Sequence, residues 1–114
     1  MDIFFKNTKT ERLFAPGRTL VKFHGARRAK IIRLRLIALE TARNLAAFWP
    51  PKSGVTRCHE LTMDRDGQFS MDLDHPYRLI FEPRHDPVPK LPDGGTDWQA
   101  ITAITILGVE DTHE

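Results

Sequence analysis

The hydrophobic pattern of the chain changes period near its middle. Between Ala26 and Ala47 apolar positions recur at spacings of three and four. Ala29, Ile32, Leu36 and Leu39 form one stripe, and Ile31, Leu34 and Ala38 widen it, while Arg28 and Arg35 lie off its centre. This predicts an amphipathic helix with a broad buried face. It begins near Thr19 and runs to about Asn44, with Gly25 placed to break or kink it, so one helix or two fit the pattern. Phe48-Trp49-Pro50-Pro51 closes the helical region. From Arg57 onward the period is two. Phe69, Met71 and Leu73 alternate with Ser70 and Asp72, and Tyr77, Leu79 and Phe81 alternate with Arg78. Alternation of this kind predicts strands with one buried face. Asp66-Gly67 and Asp74-His75-Pro76 are turn sequences between them.

The remaining elements follow from shorter signals. Ile3-Phe4-Phe5 predicts an edge strand. Thr8 or Thr10 is placed to cap a short helix through Leu13 and Phe14, stopped by Pro16-Gly17. The stretch 83–97 holds four prolines and the pair Gly94-Gly95, which predicts a long exposed loop. Ile101 to Leu107 is mostly apolar and predicts a central strand covered on both faces. The order is a strand, then helices, then several strands. The fold class is therefore α+β: N-terminal helices packed on a twisted, mainly antiparallel sheet, in a single domain over residues 1–114.

Composition narrows the setting. With 114 residues and 40% hydrophobic content, one modest core forms without disulfides or metal. A single cysteine, Cys58, excludes an intramolecular disulfide scaffold. Met1 to Lys6 lacks the pattern of a signal peptide, and no apolar run approaches the ~20 residues that cross a bilayer. These features point to a cytoplasmic protein with no membrane partner. The net charge of +2 is slight, but Lys22, Arg27, Arg28, Lys30, Arg33 and Arg35 fall together with no acid between them. Such a run is either a solvated helix face or a surface for an anionic partner, nucleic acid or an acidic protein segment.

Candidate chemistry lies on the strands. Arg78 sits mid-strand between apolar neighbours, where a guanidinium needs a partner or an open cleft. It either pairs with an acid such as Asp72 or Glu60, or clamps a phosphate, whose oxygens match its fork. His59 is a strand histidine whose ordinary pKa suits proton transfer near neutrality. His113 follows the last apolar strand directly, with Asp111 placed to orient it. His75 and His85 belong to a turn and a loop. The five histidines and Cys58 show no paired metal-ligand spacing, and no P-loop or Gly-x-Gly-x-x-Gly occurs. No metal and no cofactor are expected.

The segments Arg57-Cys58-His59-Glu60-Leu61, Gly67 to Leu73, Pro76 to Pro83 and Asp111-Thr112-His113, taken in order, resemble the RelE/ParE superfamily of toxins from bacterial type II toxin–antitoxin modules. The similarity is greatest to the HigB-like branch, the plasmid-maintenance killer proteins, and the Lys90 to Trp98 loop is similar to a longer subgroup of it. The resemblance implies ribosome-dependent, metal-independent cleavage of messenger RNA. The ribose 2′-hydroxyl attacks the adjacent phosphate, a base takes its proton and an acid protonates the leaving 5′-oxygen. It implies a cognate helix-turn-helix antitoxin, with operator DNA contacted only through that partner. By matched position, His59 and His113 become the proton-transfer pair, Arg78 holds the phosphate and Asp111 supports. Arg57, Arg65, Arg84 and Lys90 are the expected RNA-binding cations. Thr112 stands where the branch has tyrosine, and Thr62 where many relatives have lysine. The alternatives are a non-enzymatic ParE-like toxin that inhibits gyrase, and an inactive basic binding module.

Overall fold

The computed structural model describes residues 1–111, so His113 and Thr112 lie outside the described residues. Strand β1 (Asp2–Phe5) is followed by helices α1 (Thr8–Leu13), α2 (Arg18–His24) and α3 (Ala26–Thr41). Then come β2 (His59–Glu60), β3 (Phe69–Asp72), β4 (Tyr77–Pro83) and β5 (Ala103–Asp111). The strands form one sheet in the order β1-β5-β4-β3-β2. β1 runs parallel to β5, and the other three pairings are antiparallel. The α+β architecture anticipated from the hydrophobic pattern is the one observed.

Local chemistry sets the helix boundaries, in places differently from the sequence expectation. The cap of α1 is Asn7, not Thr8 or Thr10; its side-chain oxygen accepts from the Thr10 amide at 2.8 Å. Gly25, at φ 81°, divides the long helical segment into α2 and α3. That conformation is open to glycine and disfavoured for other residues. α3 ends at Thr41, short of Asn44. There the N-terminal ammonium donates to the carbonyls of Leu39 at 3.1 Å and Glu40 at 2.9 Å, and also to that of Ala42. Asn44 instead caps a 3₁₀ turn over Leu45–Phe48. The apolar stripe of α3 is narrower than its spacing suggests. Ala29, Ile32 and Leu39 are buried, whereas Leu34 and Ile37 are 49% and 52% exposed.

α3 is tied down at two basic residues. Arg28 forks onto both carboxylate oxygens of Asp74, at 2.9 and 3.2 Å, and lies 3.5 Å above the Tyr77 ring centre. Arg35 donates to the Asp72 carbonyl at 2.8 Å. Asp74 also offsets the unfavourable placement of Arg27 and Arg28 at the positive end of the helix dipole.

The core lies between the helices and one sheet face. Phe69, Met71, Leu79, Phe81, Ile104 and Ile106 meet Ile32 and Leu39 there, all of them fully buried. Each such side chain contributes roughly 1.5–3 kcal/mol through burial. β5 begins at Ala103 rather than Ile101 and alternates buried with half-buried positions, so it is covered mainly on one face and not on both. The 83–97 segment is also more ordered than a plain loop. Lys90 pairs with Thr96, the Leu91 amide donates to the Gly95 carbonyl at 2.7 Å, and Thr96 and Trp98 are buried. Pro92 lies inside this turn, where the Leu91–Gly95 bonds need no donor from it, and Gly94 completes the turn at φ 93°.

Candidate functional site

Register determines which side chains share the sheet face opposite the core. His59 lies opposite Ser70, and Ser70 opposite Ile80. Asp72 lies opposite Arg78, and Arg78 opposite Glu110. Side chains alternate along a strand, so all of these point to one face, two residues apart on each strand. His59 and Arg78 therefore share a face. From two strand spacings and one side-chain repeat, their backbones are roughly 12 Å apart.

His59 is buried, at 8% exposure. Its Nδ1 is 2.8 Å from the Arg57 carbonyl oxygen. A carbonyl only accepts, so Nδ1 carries the hydrogen in the neutral ring and Nε2 carries the lone pair. That tautomer suits Nε2 to act as a base. Arg57 itself has φ 46°, a backbone conformation uncommon for residues other than glycine.

Arg78 and Arg57 flank one carboxylate. Asp72 lies 3.4 Å from Nε of Arg78 through Oδ1 and 3.4 Å from Nε of Arg57 through Oδ2. The ion pair weighed for Arg78 thus forms with Asp72; Glu60 instead accepts from the Thr96 hydroxyl at 2.8 Å. Nη1 of Arg78, Oδ1 of Asp72 and Oγ of Ser70 are buried without a hydrogen-bond partner among the described residues. Three such atoms on adjacent strands of one face are costly to the fold, at about 1–3 kcal/mol for each orphaned group.

The face is partly covered. Arg65, in the turn between β2 and β3, forms a bidentate pair with Glu110 of β5 at 3.0 and 2.8 Å. That turn consequently straps across β3 and β4, over the row where Ser70 and Ile80 are fully buried. Arg65 is held by this pair and by Gln68 at 2.7 Å.

The other expected residues are dispersed. Asp111 closes β5 opposite Tyr77, on the face away from Arg78. Arg84 follows the far end of β4 and lies 4.0 Å above the Phe4 ring centre. Six strand residues place it roughly 20 Å from Arg78. Lys90 reaches the Thr96 hydroxyl at 3.4 Å. Arg57 is exposed and adjoins the His59 face. Ser70 and Asp72 carry no site signal in the sequence beyond their alternation with Phe69 and Met71, which puts them on the Arg78 face. The strap from Arg65 to Glu110 had no sequence signal, because it joins positions 45 residues apart.

No protein-family model and no curated protein sequence matches the chain. Among solved structures it is similar to a YoeB/ParE toxin from Agrobacterium tumefaciens, with a TM-score of 0.58 and 11% identity over 99% of this chain and 100% of that one. The fold is RelE-like. At that identity the similarity concerns the path of the backbone, and the face that bears His59 and Arg78 belongs to this sequence. Among the described residues, no helix is long and apolar enough to cross a membrane.

Proposed function

We propose that the chain is the toxin of a type II toxin–antitoxin pair, of the HigB-like branch, and that it cleaves messenger RNA on the ribosome without a metal. The reading rests on one observation above the others. A buried Nη1 of Arg78, with no hydrogen-bond partner among the described residues, shares a sheet face with a histidine whose Nε2 holds the lone pair. A phosphate oxygen supplies the acceptor that Nη1 lacks, and a charge-assisted bond there stabilises the crowded phosphorane. His59 then takes or returns a proton, with His113 as its counterpart; Asp111, on the opposite sheet face, stays outside this step. Arg57 extends the positive charge along the backbone path. The similarity to a solved YoeB/ParE toxin supports the toxin half of the reading.

The partner in this reading is an antitoxin with a helix-turn-helix domain and an acidic tail. The outer surface of α2 and α3 suits such a tail. Lys22, Arg27, Lys30 and Arg33 are exposed there beside Val21, Phe23, Leu34 and Ile37.

One observation favours the non-enzymatic, gyrase-directed alternative: Asp72 already neutralises Arg78 in part. Mapping RNA 5′ ends after induction of the chain alone separates the two. New ends within translated codons, absent with His59→Gln, support cleavage. Growth arrest with intact messages and altered supercoiling refutes it.

A further inference from the structure

Both tryptophans of the chain line one open depression beside strand β2, adjoining the His59–Arg78 face at His59. Trp49 is 59% exposed, an unusual state for so large an apolar ring. It does not hang free. Its ring meets Trp98 edge-on, with centroids 5.0 Å apart at 88°. Trp98 in turn stands edge-on to Phe69 at 5.4 Å and is buried. The exposed indole is thus braced through two rings to the core. The depression has a volume of about 440 Å³, and Lys52, His59, Glu60 and Leu91 also line it.

We propose that this depression binds a single unstacked nucleobase of an RNA strand, and that it selects guanine. The ring of Trp49 offers a flat, rigid stacking surface, the means by which proteins hold bases of single-stranded RNA. Glu60 supplies the selection. Thr96 donates to one of its oxygens at 2.8 Å, which fixes the carboxylate in orientation. A carboxylate only accepts hydrogen bonds and has capacity beyond that one contact. Guanine alone among the four bases presents two adjacent N–H donors, N1 and N2, on its Watson–Crick edge. Adenine and cytosine place a ring acceptor beside their amino group, and uracil flanks its single N–H with carbonyls, so each sets a lone pair against the carboxylate. Lys52, exposed at the rim, is placed for the phosphate of the same nucleotide. His59 contributes to this depression as well as to the Arg78 face, so a base held here lies next to the proposed cleavage site. The inference deepens the nuclease reading and rests on it for its biological meaning.

The two tryptophans make the site its own reporter. The intact chain is titrated with 5′-GMP, AMP, CMP and UMP while tryptophan emission is followed. Saturable quenching by GMP is expected, with affinity roughly tenfold or more above the other three, the scale of a bidentate base contact. Trp49→Ala should abolish the response. Trp49→Phe should weaken it while keeping a ring. Glu60→Gln should retain quenching and lose the preference for GMP. Circular dichroism verifies that each variant is folded. Equal quenching by all four nucleotides overturns the guanine assignment, and no saturable response from folded protein overturns the base site. Arg78→Met separates this inference from the cleavage reading, since it should lose cleavage and keep GMP binding. GMP binding that persists without any RNA cleavage in the wild type leaves the base site standing and removes the nuclease. Cleavage whose sequence preference ignores Trp49→Ala does the reverse.

Discussion

Replacing Arg78 by methionine tests whether that guanidinium serves the fold or the reaction. Methionine keeps most of the side-chain length and removes the charge. In the folded protein Arg78 is 16% exposed and lies 3.4 Å from Asp72. At an effective dielectric near 20 the gross attraction over that distance is about 5 kcal/mol. Desolvation of two partly buried ions offsets several kcal/mol of it. Removing Nη1, which has no described partner, returns roughly 1–3 kcal/mol. Asp72 keeps Arg57 at 3.4 Å, so the carboxylate is not stranded. The net change in stability is expected within about 1 kcal/mol of zero. Loss of a donor aimed at developing phosphorane charge is expected to lower cleavage by about 10²–10³. Urea denaturation gives the first quantity, and primer extension on messages after induction gives the second. A variant destabilised by more than about 3 kcal/mol would mean that Arg78 chiefly holds the sheet. Undiminished cleavage from a stable variant would remove Arg78 from the reaction.

Three further outcomes follow from the packing. Arg28→Gln breaks the fork onto Asp74 and the stack on Tyr77, and is expected to destabilise by about 2–3 kcal/mol at pH 7. The Arg28 hydrogen bond holds the Asp74 carboxyl below its ordinary range. That stabilisation is present above the unfolded-state value and is lost as pH falls through the folded one, so urea midpoints of variant and wild type should converge in acid; an equal gap at both pH values would contradict the pairing. Burial pushes the Cys58 thiol up to about 12. Alkylation of Cys58 should therefore track global unfolding, and stability should decline as pH rises above about 9, where only the unfolded thiol ionises; rapid labelling of folded protein argues against the buried position. Glu110→Gln loosens the Arg65 strap, at a cost of about 1 kcal/mol for a pair this exposed, and amide exchange at Ser70 and Ile80 should accelerate. Unchanged exchange there would show that something other than the strap covers the row.

The architecture was legible because hydrophobic period is local information. A spacing of three and four marked α3, a spacing of two marked β3 and β4, and Phe69, Met71, Leu79 and Phe81 were assigned to the buried face that they occupy. Boundaries were less legible, because their determinants lie elsewhere in the chain. The end of α3 is met by the N-terminal ammonium, and Leu34 is exposed because no element among the described residues covers that side of the helix. The proline-rich segment looked irregular because prolines lack a donor, yet the hydrogen bonds between Leu91 and Gly95 use none of them.

By itself, the sequence determined the α+β class, the order of strand, helices and then strands, and the placement of Arg78 away from the core. Pairing across the sheet decided the rest. It joined His59 to the Arg78 face, set Asp72 between Arg57 and Arg78, drew Arg65 to Glu110 and braced Trp49 on Trp98. Each of these contacts depends on register between strands or on packing between distant segments, which long-range burial fixes and no local pattern encodes.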